Sequence, residues 1–372
     1  MAQGFSLKDQ LFNAETVGLL GDHFERAGVF RAASFVADVM AQLPPLELKA
    51  RINLIAEVLA RHLPRDYLAA CDAITAALPP PLDPSRTDDD FGHFIYAPLG
   101  VFVETHGIER HLDESLTLMQ ALTQRFSMEF SLRAFLNRHE AATLERLHDW
   151  VRHDNYHVRR LVSEGTRPRL PWGQSVGLTQ AQTLPLLDQL YTDRTRFVTR
   201  SVANHLNDIT KFNGGLVIDR LERWQGAGGQ LAPELDWMRK HALRGLIKAS
   251  DPAALRHLGY RRDAAINLTQ FDLSETAIPI DASLTINASL TVATDTPLII
   301  DYVIDFVKAN GKTAPKVFKF KQCAAKAGIP VTITKTHRFK GDATTFRLYP
   351  GAHQIHLQVN GRIMQSVGFD LT

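Results

Sequence analysis

The chain has 372 residues, 45% of them hydrophobic and 22% charged, which is typical of a folded protein large enough for two domains. It contains no apolar run of about 18 residues and no apolar stretch near its start, which argues against a membrane span and a secretory signal. Its two cysteines, Cys71 and Cys323, fall in different predicted domains, so we expect no disulfide and a cytoplasmic location.

The net charge of +2 hides strong segregation along the chain. Residues 1–124 contain 9 Lys+Arg and 17 Asp+Glu, residues 125–262 contain 22 and 14, and residues 263–372 contain 11 and 9. A basic middle third beside an acidic first third suggests a polyanion, such as nucleic acid, as the partner of the middle third. The competing interpretation is that helical proteins often segregate charge by chance.

Helices are predicted for most of the first 262 residues. Apolar residues recur at helical spacing through residues 5–77, with breaks at Pro44-Pro45 and Pro64. Residues 78–90 are rich in proline and aspartate and predict a solvated acidic loop, although its aspartates could also bind a metal. Helical spacing resumes at Ile95 and continues to about Gly259.

An internal repeat runs through the basic third. Residues 157–166 align with residues 197–206 at an offset of 40, and a second shift of 40 leads to residues 237–246. The aligned columns are Val158 with Val198, Arg160 with Arg200 and Lys240, and Val162 with Val202 and Ala242. A two-helix unit near this length is typical of a HEAT-like α-solenoid.

The pattern changes to strand spacing from about Ile266. Short strands are predicted at residues 284–292, 298–307, 317–320, 331–334, 346–349 and 355–359. Asn360-Gly361 is typical of a type I′ hairpin turn. Together the patterns predict a mainly α fold, with a HEAT-like repeat domain at 1–262 and an all-β immunoglobulin-like sandwich at 268–372.

The predicted inner helices of the three repeats place polar residues on one face at intervals of four. The three sets are Arg160, Glu164 and Pro168, then Arg200, Asn204 and Asp208, then Lys240, Arg244 and Lys248. The third set is wholly basic and indicates phosphate binding. Glu164 and Asp208 interrupt the basic surface, and Glu129 opens a further helix nearby. These carboxylates suit either catalysis or intramolecular ion pairs, and the residues alone favour neither.

Several other residues have two interpretations. Trp172 ends a loop that contains Arg167 and Arg169, and it can plug the repeat core or stack beside a nucleotide. His153 and His157 lie four residues apart, but no glutamate completes a zinc-binding motif, so we predict surface histidines. The lysines around a predicted hairpin can contact phosphate or protect a sheet edge; they are Lys308, Lys312, Lys316, Lys319 and Lys321.

Residues 159–172, 200–209 and 306–313 resemble the AlkC family of bacterial DNA glycosylases, and so do Phe91-Gly-His-Phe and residues 122–130. The resemblance extends over essentially the whole chain. It implies a HEAT-like-repeat enzyme that hydrolyses the N-glycosidic bond of alkylated bases, particularly 3-methyladenine and 3-methylcytosine, in base excision repair. It also implies that the C-terminal immunoglobulin-like domain, present in one branch of the family, helps to grip DNA.

The resemblance assigns the site residues as well. The catalytic acids map to Glu129, Glu164 and Asp208, with Arg160 and Trp172 beside the lesion. A base methylated at N3 is cationic and leaves without a general acid, so carboxylates need only stabilise an oxocarbenium-like sugar and position water. HEAT-like glycosylases avoid deep base flipping, so we expect DNA bent across the basic face. The DNA-binding candidates are Arg167, Arg169, Arg200, Asn204, Lys240, Arg244, Lys248, Lys312 and Lys316.

Alkylated double-stranded DNA is therefore the expected partner of a monomeric, nucleoid-associated enzyme. No phosphate-binding glycine motif and no nucleophile elbow occur in the sequence, so no nucleotide cofactor, other cofactor or metal is expected. The competing hypothesis is a non-catalytic HEAT-repeat scaffold that binds DNA or an acidic protein partner. A third hypothesis is a protein–protein adaptor that uses the immunoglobulin-like domain.

Overall fold

The computed structural model describes residues 6–88, 90–342 and 346–372. Its internal contacts divide the chain into two compact units. One unit consists of the residues up to Ile209 together with Arg223–Ala242, and the other consists of Thr210–Glu222 and Leu243–Thr372. The last short helices therefore group with the strands, whereas the sequence pattern had grouped them with the preceding helices.

Helices occupy the chain up to residue 257. They are α1 (Leu7–Leu11), α2 (Ala14–Arg26), α3 (Ala32–Met40), α4 (Leu48–His62), α5 (Tyr67–Ala77), α6 (Ala97–Gly107), α7 (Leu112–Thr123), α8 (Glu129–Arg138), α9 (Glu140–Trp150), α10 (Tyr156–Gly165), α11 (Gln180–Leu190), α12 (Arg196–Ile209), α13 (Gly214–Ala227), α14 (Ala232–Ala242), α15 (Arg244–Lys248) and α16 (Pro252–His257). A 3-10 turn at Phe94–Tyr96 precedes α6. Among the described helices, none is both long and apolar enough to cross a membrane.

The predicted repeats form a stack of helices in the first unit. Helices α8, α10, α12 and α14 pack side by side in that order. The apolar columns of the repeat lie inside the stack, because Val158, Val162, Val198, Val202 and Ala242 are all buried. Buried apolar columns between successive helices are what a HEAT-like solenoid requires, since each repeat covers its apolar face only with its neighbours.

The third polar set does not belong to one helix. Helix α14 ends at Ala242, and Leu243 separates it from α15, which begins at Arg244. Lys240 is therefore on a different helix from Arg244 and Lys248, and the prediction that one continuous helix carries all three residues is wrong. A spacing of four residues places side chains together only where the helix is continuous.

The second unit contains an eight-stranded sandwich. Its strands are β1 (Ile266–Leu273), β2 (Ala277–Ile278), β3 (Ser283–Val292), β4 (Thr296–Val307), β5 (Thr313–Ala325), β6 (Val331–Arg338), β7 (Gly351–Val359) and β8 (Arg362–Leu371). They form a sheet of order β1-β3-β6 and a second sheet of order β2-β8-β7-β4-β5. Apolar side chains of both sheets form one core, which is the arrangement of an immunoglobulin-like sandwich.

Two local predictions in this unit had different outcomes. Asn360 and Gly361 both have positive φ, at 46° and 75°, and join β7 to β8 as a type I′ turn requires. The strand predicted at 346–349 is absent, since these residues make no strand pairing. They are apolar for another reason: Leu348 is buried in the sandwich core, and the ring of Phe346 lies 5.3 Å from that of Phe306.

Candidate functional site

Helices α10 and α12 contact each other and carry most of the predicted catalytic residues on facing turns. Asn155 caps α10 through a hydrogen bond from the backbone N–H of His157 at 2.8 Å. The spacing of four residues puts Arg160 and Glu164 on one face of α10, as predicted. Asp208 lies in the last turn of α12, and Glu129 is the first residue of α8.

The carboxylate of Glu164 is buried, and both of its oxygens accept hydrogen bonds. Arg167 donates a hydrogen bond to its Oε1 at 2.6 Å, and Ser201 of α12 donates to its Oε2 at 2.6 Å. Burial opposes ionisation, but the guanidinium groups of Arg160 and Arg167 and these two hydrogen bonds hold the pKa of Glu164 below its ordinary value. The carboxyl is therefore an anion at neutral pH. Sequence reasoning did not single out Ser201, whose role depends on the packing of α12 against α10.

Arg167 joins two of the three predicted acids. Its Nη1 contacts Glu164, while its Nε and Nη2 both lie 2.9 Å from Oδ2 of Asp208. Burial lowers the pKa of Arg167, but Glu164 and Asp208 outweigh burial and raise it. The sequence predicted a phosphate contact for Arg167. The geometry instead favours a positioning role, because its guanidinium is buried and occupied by two carboxylates.

Arg160 lies between Glu164 and Glu129. One of its nitrogens is 3.7 Å from Oε2 of Glu164 and another is 3.7 Å from Oε2 of Glu129. Ser127 accepts a hydrogen bond from Nη1 of Arg160 at 2.7 Å, and the guanidinium stacks over the ring of Phe197 at 4.5 Å. Oε2 of Glu129 is buried and has no hydrogen-bond partner among the described residues. A buried oxygen without a hydrogen bond lowers the stability of the fold, which is not expected of an ion pair whose role is only structural.

Arg133 of α8 holds the segment that follows α10, and sequence reasoning missed it. Its side chain is 1% exposed, and its Nη1 donates to the carbonyls of Gly165 and Arg167, both at 2.9 Å. Its Nε donates to the carbonyl of Gln174. Gly165 permits this close packing, because a Cβ there would lie 2.5 Å from Leu132. A buried arginine among carbonyls cannot be recognised from local sequence.

Trp172 is exposed and backbone-strained. Its side chain is 68% exposed, and its φ of 65° is in the left-handed region, which a bulky residue rarely adopts. Lys49 of α4 donates a hydrogen bond to its carbonyl at 3.4 Å. The interpretation of Trp172 as a plug of the repeat core is wrong, since a plug would be buried. An exposed, strained aromatic residue is more typical of a ligand contact.

One of the two histidines that were predicted to lie at the surface, His157, is buried instead. His157 is buried against Phe197, with ring centroids 5.4 Å apart, so it is not a surface residue. Burial and the Arg160 charge lower its pKa to about 4. His205 of α12 is also buried, and burial lowers its pKa to about 4. Its Nδ1 lies 3.1 Å from the carbonyl of Ser163, so Nδ1 donates. Within the described residues, no group of acids, histidines and cysteines could hold a metal ion.

Comparisons with known proteins bear on the family and the fold of the chain. Residues 267–372 match the family described as "Uncharacterised protein YhaZ, C-terminal Ig-like domain". The whole chain resembles the structure of Pseudomonas fluorescens alkylpurine DNA glycosylase AlkC bound to DNA containing an abasic site analog, with a TM-score of 0.87 and 31% identity over 99% of this chain and 100% of that one. It is also 34% identical to "Uncharacterized protein YhaZ" of Bacillus subtilis over 88% of each chain.

The chain belongs to the AlkC/YhaZ family. The predicted family resemblance and fold class are therefore confirmed: a HEAT-like helical domain precedes an immunoglobulin-like domain. The predicted roles of individual site residues stay predictions. The structure of this AlkC/YhaZ member does bring six side chains into one connected cluster, which we call the acid–arginine cluster. Its members are Glu129, Arg160, Glu164, Arg167, Phe197 and Asp208.

The predicted DNA-binding residues of this AlkC/YhaZ member have varied surroundings. Arg169, Arg244 and Lys248 are exposed, and Lys240 pairs with Asp236 at 2.6 Å. Asn204 lies 2.9 Å from Nε2 of His241. Lys312 is in the exposed turn between β4 and β5, and Lys316 lies 3.7 Å from the centre of the Phe346 ring. Because β5 is at the edge of its sheet, both interpretations of the lysine cluster stay open.

Arg200 makes a contact that the sequence did not predict. It pairs with Asp88 of the acidic loop, and the backbone N–H of Phe197 donates to the carbonyl of Thr87 at 2.9 Å. The ring of Phe91 lies 5.3 Å from that of Phe197. The prediction of a solvated loop holds for the exposed residues 83–87 and is wrong for Asp88, which is partly buried and ion-paired, while Asp89 lies outside the described residues. The loop lies against α12, where phosphate contacts were predicted.

Proposed function

We propose that the chain is a monofunctional DNA glycosylase that removes cationic alkylated bases, with 3-methyladenine and 3-methylcytosine as substrates. The likeness to AlkC supports this proposal, since AlkC is an alkylpurine DNA glycosylase whose structure was solved bound to DNA containing an abasic site analog. The observation that carries most weight is the acid–arginine cluster. Two carboxylates flank Arg160, and Oε2 of Glu129 is buried without a hydrogen bond in the described part of the chain.

The chemistry needs little from the protein beyond electrostatics. The bond between C1′ and the base nitrogen breaks, and its electron pair leaves with the base, which becomes neutral. The positive charge that develops on the sugar is stabilised by the anionic carboxylates, of which Glu164 is held ionised. Water then adds to C1′, and its proton passes to a carboxylate and on to solvent. The products are the free base and an abasic site.

We assign roles by accessibility and pairing. Glu129 is the carboxylate best suited to hold the water, because its Oε2 accepts no hydrogen bond from the described residues and Arg160 approaches it only to 3.7 Å. Glu164 and Asp208 supply fixed negative charge, and Arg167 holds them in place. Arg160 and Trp172 contact the lesion. The exposed Trp172 offers a stacking surface for the lesion, so that the base need not be flipped fully out of the duplex.

Double-stranded DNA is the proposed partner, bound along the basic part of the helical domain by a monomer. Arg169, Arg200, Lys240, Arg244 and Lys248 are the proposed phosphate contacts, with Asn204 beside them. Lys312 and Lys316 are proposed as further contacts in the β unit. The proposed reaction uses no metal and no cofactor, and it takes place on the nucleoid in the cytoplasm.

The experiment is a base-release assay on a duplex with a single 3-methyladenine or 3-methylcytosine. Free base is measured by chromatography, and abasic sites are measured by alkaline strand cleavage. The variant is Glu164→Gln/Asp208→Asn, and its matched control is Glu145→Gln/Asp149→Asn on the exposed side of α9. We expect base release by the wild type and the control, and a loss of about 100-fold or more in the site variant.

The same assay separates the proposal from its main competitor. Glu164 and Asp208 are well paired with Arg167, which a non-catalytic scaffold would also require. A scaffold predicts DNA binding without release of either base from the intact protein. That result would overturn the proposal, and so would full activity of the double site variant.

A further inference from the structure

A cleft in the first unit lies outside the acid–arginine cluster, and the proposed chemistry does not use it. It is formed by α4, α6, residues 126–131 and residues 172–174, and we call it the N-terminal cleft. Its volume is ≈ 900 Å³, which is within the range of small-molecule sites. All of its walls belong to the same compact unit.

The walls of the N-terminal cleft are rich in aromatic rings. Rings of this kind accept a flat heteroaromatic ligand by stacking or edge contact. Two of them, Phe94 and Phe126, lie 4.6 Å apart at a tilt of 50° and so present both a face and an edge. The aromatic lining residues are Phe94, Phe102, Phe126, Phe130 and Trp172.

Glu104 of α6 places a carboxyl group in this aromatic cleft. Among the described residues, no hydrogen bond and no ion pair reaches that carboxyl. Burial raises the pKa of Glu104, and the charge of Lys49 only partly opposes the rise. A carboxyl that is easily protonated can donate through its O–H and accept through its carbonyl oxygen at the same time.

The N-terminal cleft shares two residues with the proposed lesion site. Ser127 lines the cleft and accepts the hydrogen bond from Arg160. Trp172 also lines it, and Lys49 of the cleft donates to the Trp172 carbonyl. A base that leaves the sugar beside Arg160 and Trp172 is therefore released next to the cleft entrance.

The charges of the cleft select among ligands with an aromatic ring. Besides Glu104, the carboxylates of Glu57 and Glu47 line it, the latter paired with Lys8, against the single lysine Lys49 among the lining residues. Phosphate groups would be repelled by this surface. A nucleotide or a stretch of DNA backbone is therefore disfavoured, whereas a free base has no phosphate.

We propose that the N-terminal cleft binds the free aminopurine base that the reaction releases, with Glu104 hydrogen-bonded to the exocyclic amino group and the neighbouring ring nitrogen. This inference rests on the proposed function for the source of the base. Stacking on the aromatic walls supplies most of the contact area. Glu104 supplies the recognition of the amino and ring-nitrogen edge, because its protonated form offers one donor and one acceptor.

The test is a calorimetric titration of the full chain with 3-methyladenine in the absence of DNA. Glu104→Leu removes the hydrogen-bond donor and acceptor of the side chain while keeping a similar side-chain size. Glu104→Gln keeps one donor and one acceptor. The matched control is Glu145→Leu at an exposed position of α9. We expect saturable binding to the wild type and control, a loss of about tenfold or more with leucine, and a change within about threefold with glutamine.

A second comparison needs no variant. Adenine should bind the wild type at least about tenfold more tightly than adenosine monophosphate, because the phosphate meets the carboxylates of Glu47 and Glu57. No saturable binding of 3-methyladenine, equal binding by Glu104→Leu, or equal binding of the monophosphate would each overturn the inference. Because no DNA is present, these failures would leave base release untouched, and a failure of base release would not affect the titration.

Discussion

Glu164 and Glu104 are both partly or fully buried glutamates of the helical domain, yet their surroundings are opposite. Glu164 is surrounded by two guanidinium groups and a serine hydroxyl, and its pKa is lowered. Glu104 faces aromatic rings without a hydrogen bond from the described residues, and its pKa is raised. The difference teaches that the protein maintains one carboxylate as a fixed anion and leaves another ready to take up a proton. The first suits a cationic transition state and the second suits a neutral ligand.

The largest expected effect is on the free energy of unfolding. It comes from removing a guanidinium beside Glu164, so that its surroundings resemble those of Glu104. Arg167→Met removes the guanidinium that joins the buried carboxylates of Glu164 and Asp208. We expect a loss of about 3–5 kcal/mol in the free energy of unfolding, measured with urea near neutral pH. Arg169→Met, at an exposed position two residues later, is the control and should change stability by no more than about 0.5 kcal/mol. Equal effects of the two substitutions would contradict the assigned role of Arg167.

A smaller effect is expected from Glu164→Gln. Removing the charge weakens hydrogen bonds from Arg167 and Ser201, which should cost about 1.5–3 kcal/mol at neutral pH. Because the folded-state pKa of Glu164 is lowered, its stabilisation is complete above the ordinary pKa and is lost as the pH falls through the folded-state value. Urea unfolding at neutral and at acid pH should show the difference from wild type shrinking with acidity. A difference independent of pH would argue against an ionised Glu164.

Glu104→Gln should act in the opposite direction and more weakly. Because the pKa of Glu104 is raised, its ionised form costs stability as the pH rises through that range. We expect the glutamine variant to be more stable than wild type near neutral pH by a few tenths of a kcal/mol, since the carboxyl remains partly solvated. The gain should vanish at acid pH. A loss of stability at neutral pH would mean that Glu104 has a structural partner.

The smallest expected effect is on DNA affinity, and it concerns a paired cation, Arg200, rather than a buried acid. Asp88 pairs with Arg200, so Asp88→Asn should remove one carboxylate that competes with phosphate for that guanidinium. We expect about two- to fivefold tighter binding of duplex DNA, which is the scale of a partly exposed ion pair. Fluorescence anisotropy at fixed salt is the measurement, with Asp90→Asn as the control. Unchanged affinity would show that phosphate does not reach Arg200.

Local features of the fold could be predicted from the sequence, whereas long-range contacts could not. The Asn360-Gly361 turn depends on two adjacent residues, and the buried valine columns depend on a regular period, so both were predictable. Arg133 and Ser201 owe their roles to neighbouring helices. The contact of Asp88 with Arg200 joins residues 112 positions apart. Glu164 could be singled out only because it interrupts a basic pattern.

The wrong predictions have one cause in common. The single helix over Lys240, Arg244 and Lys248, the strand at 346–349 and the surface position of His157 were all inferred from residue type and spacing. Each depends on where neighbouring segments end or pack, which spacing does not contain. Leu243 interrupts a helix, Leu348 fills a core, and His157 packs on Phe197.

The central claim is that the acid–arginine cluster performs chemistry rather than binding alone. The most direct measurement is the single-turnover rate of 3-methyladenine release at saturating protein, with abasic-DNA affinity measured in parallel, for wild type and Glu164→Gln. We predict that the substitution lowers the rate by about 100-fold or more while the affinity changes by no more than about threefold. A rate that is unchanged, or a rate and an affinity that fall together, would contradict the claim.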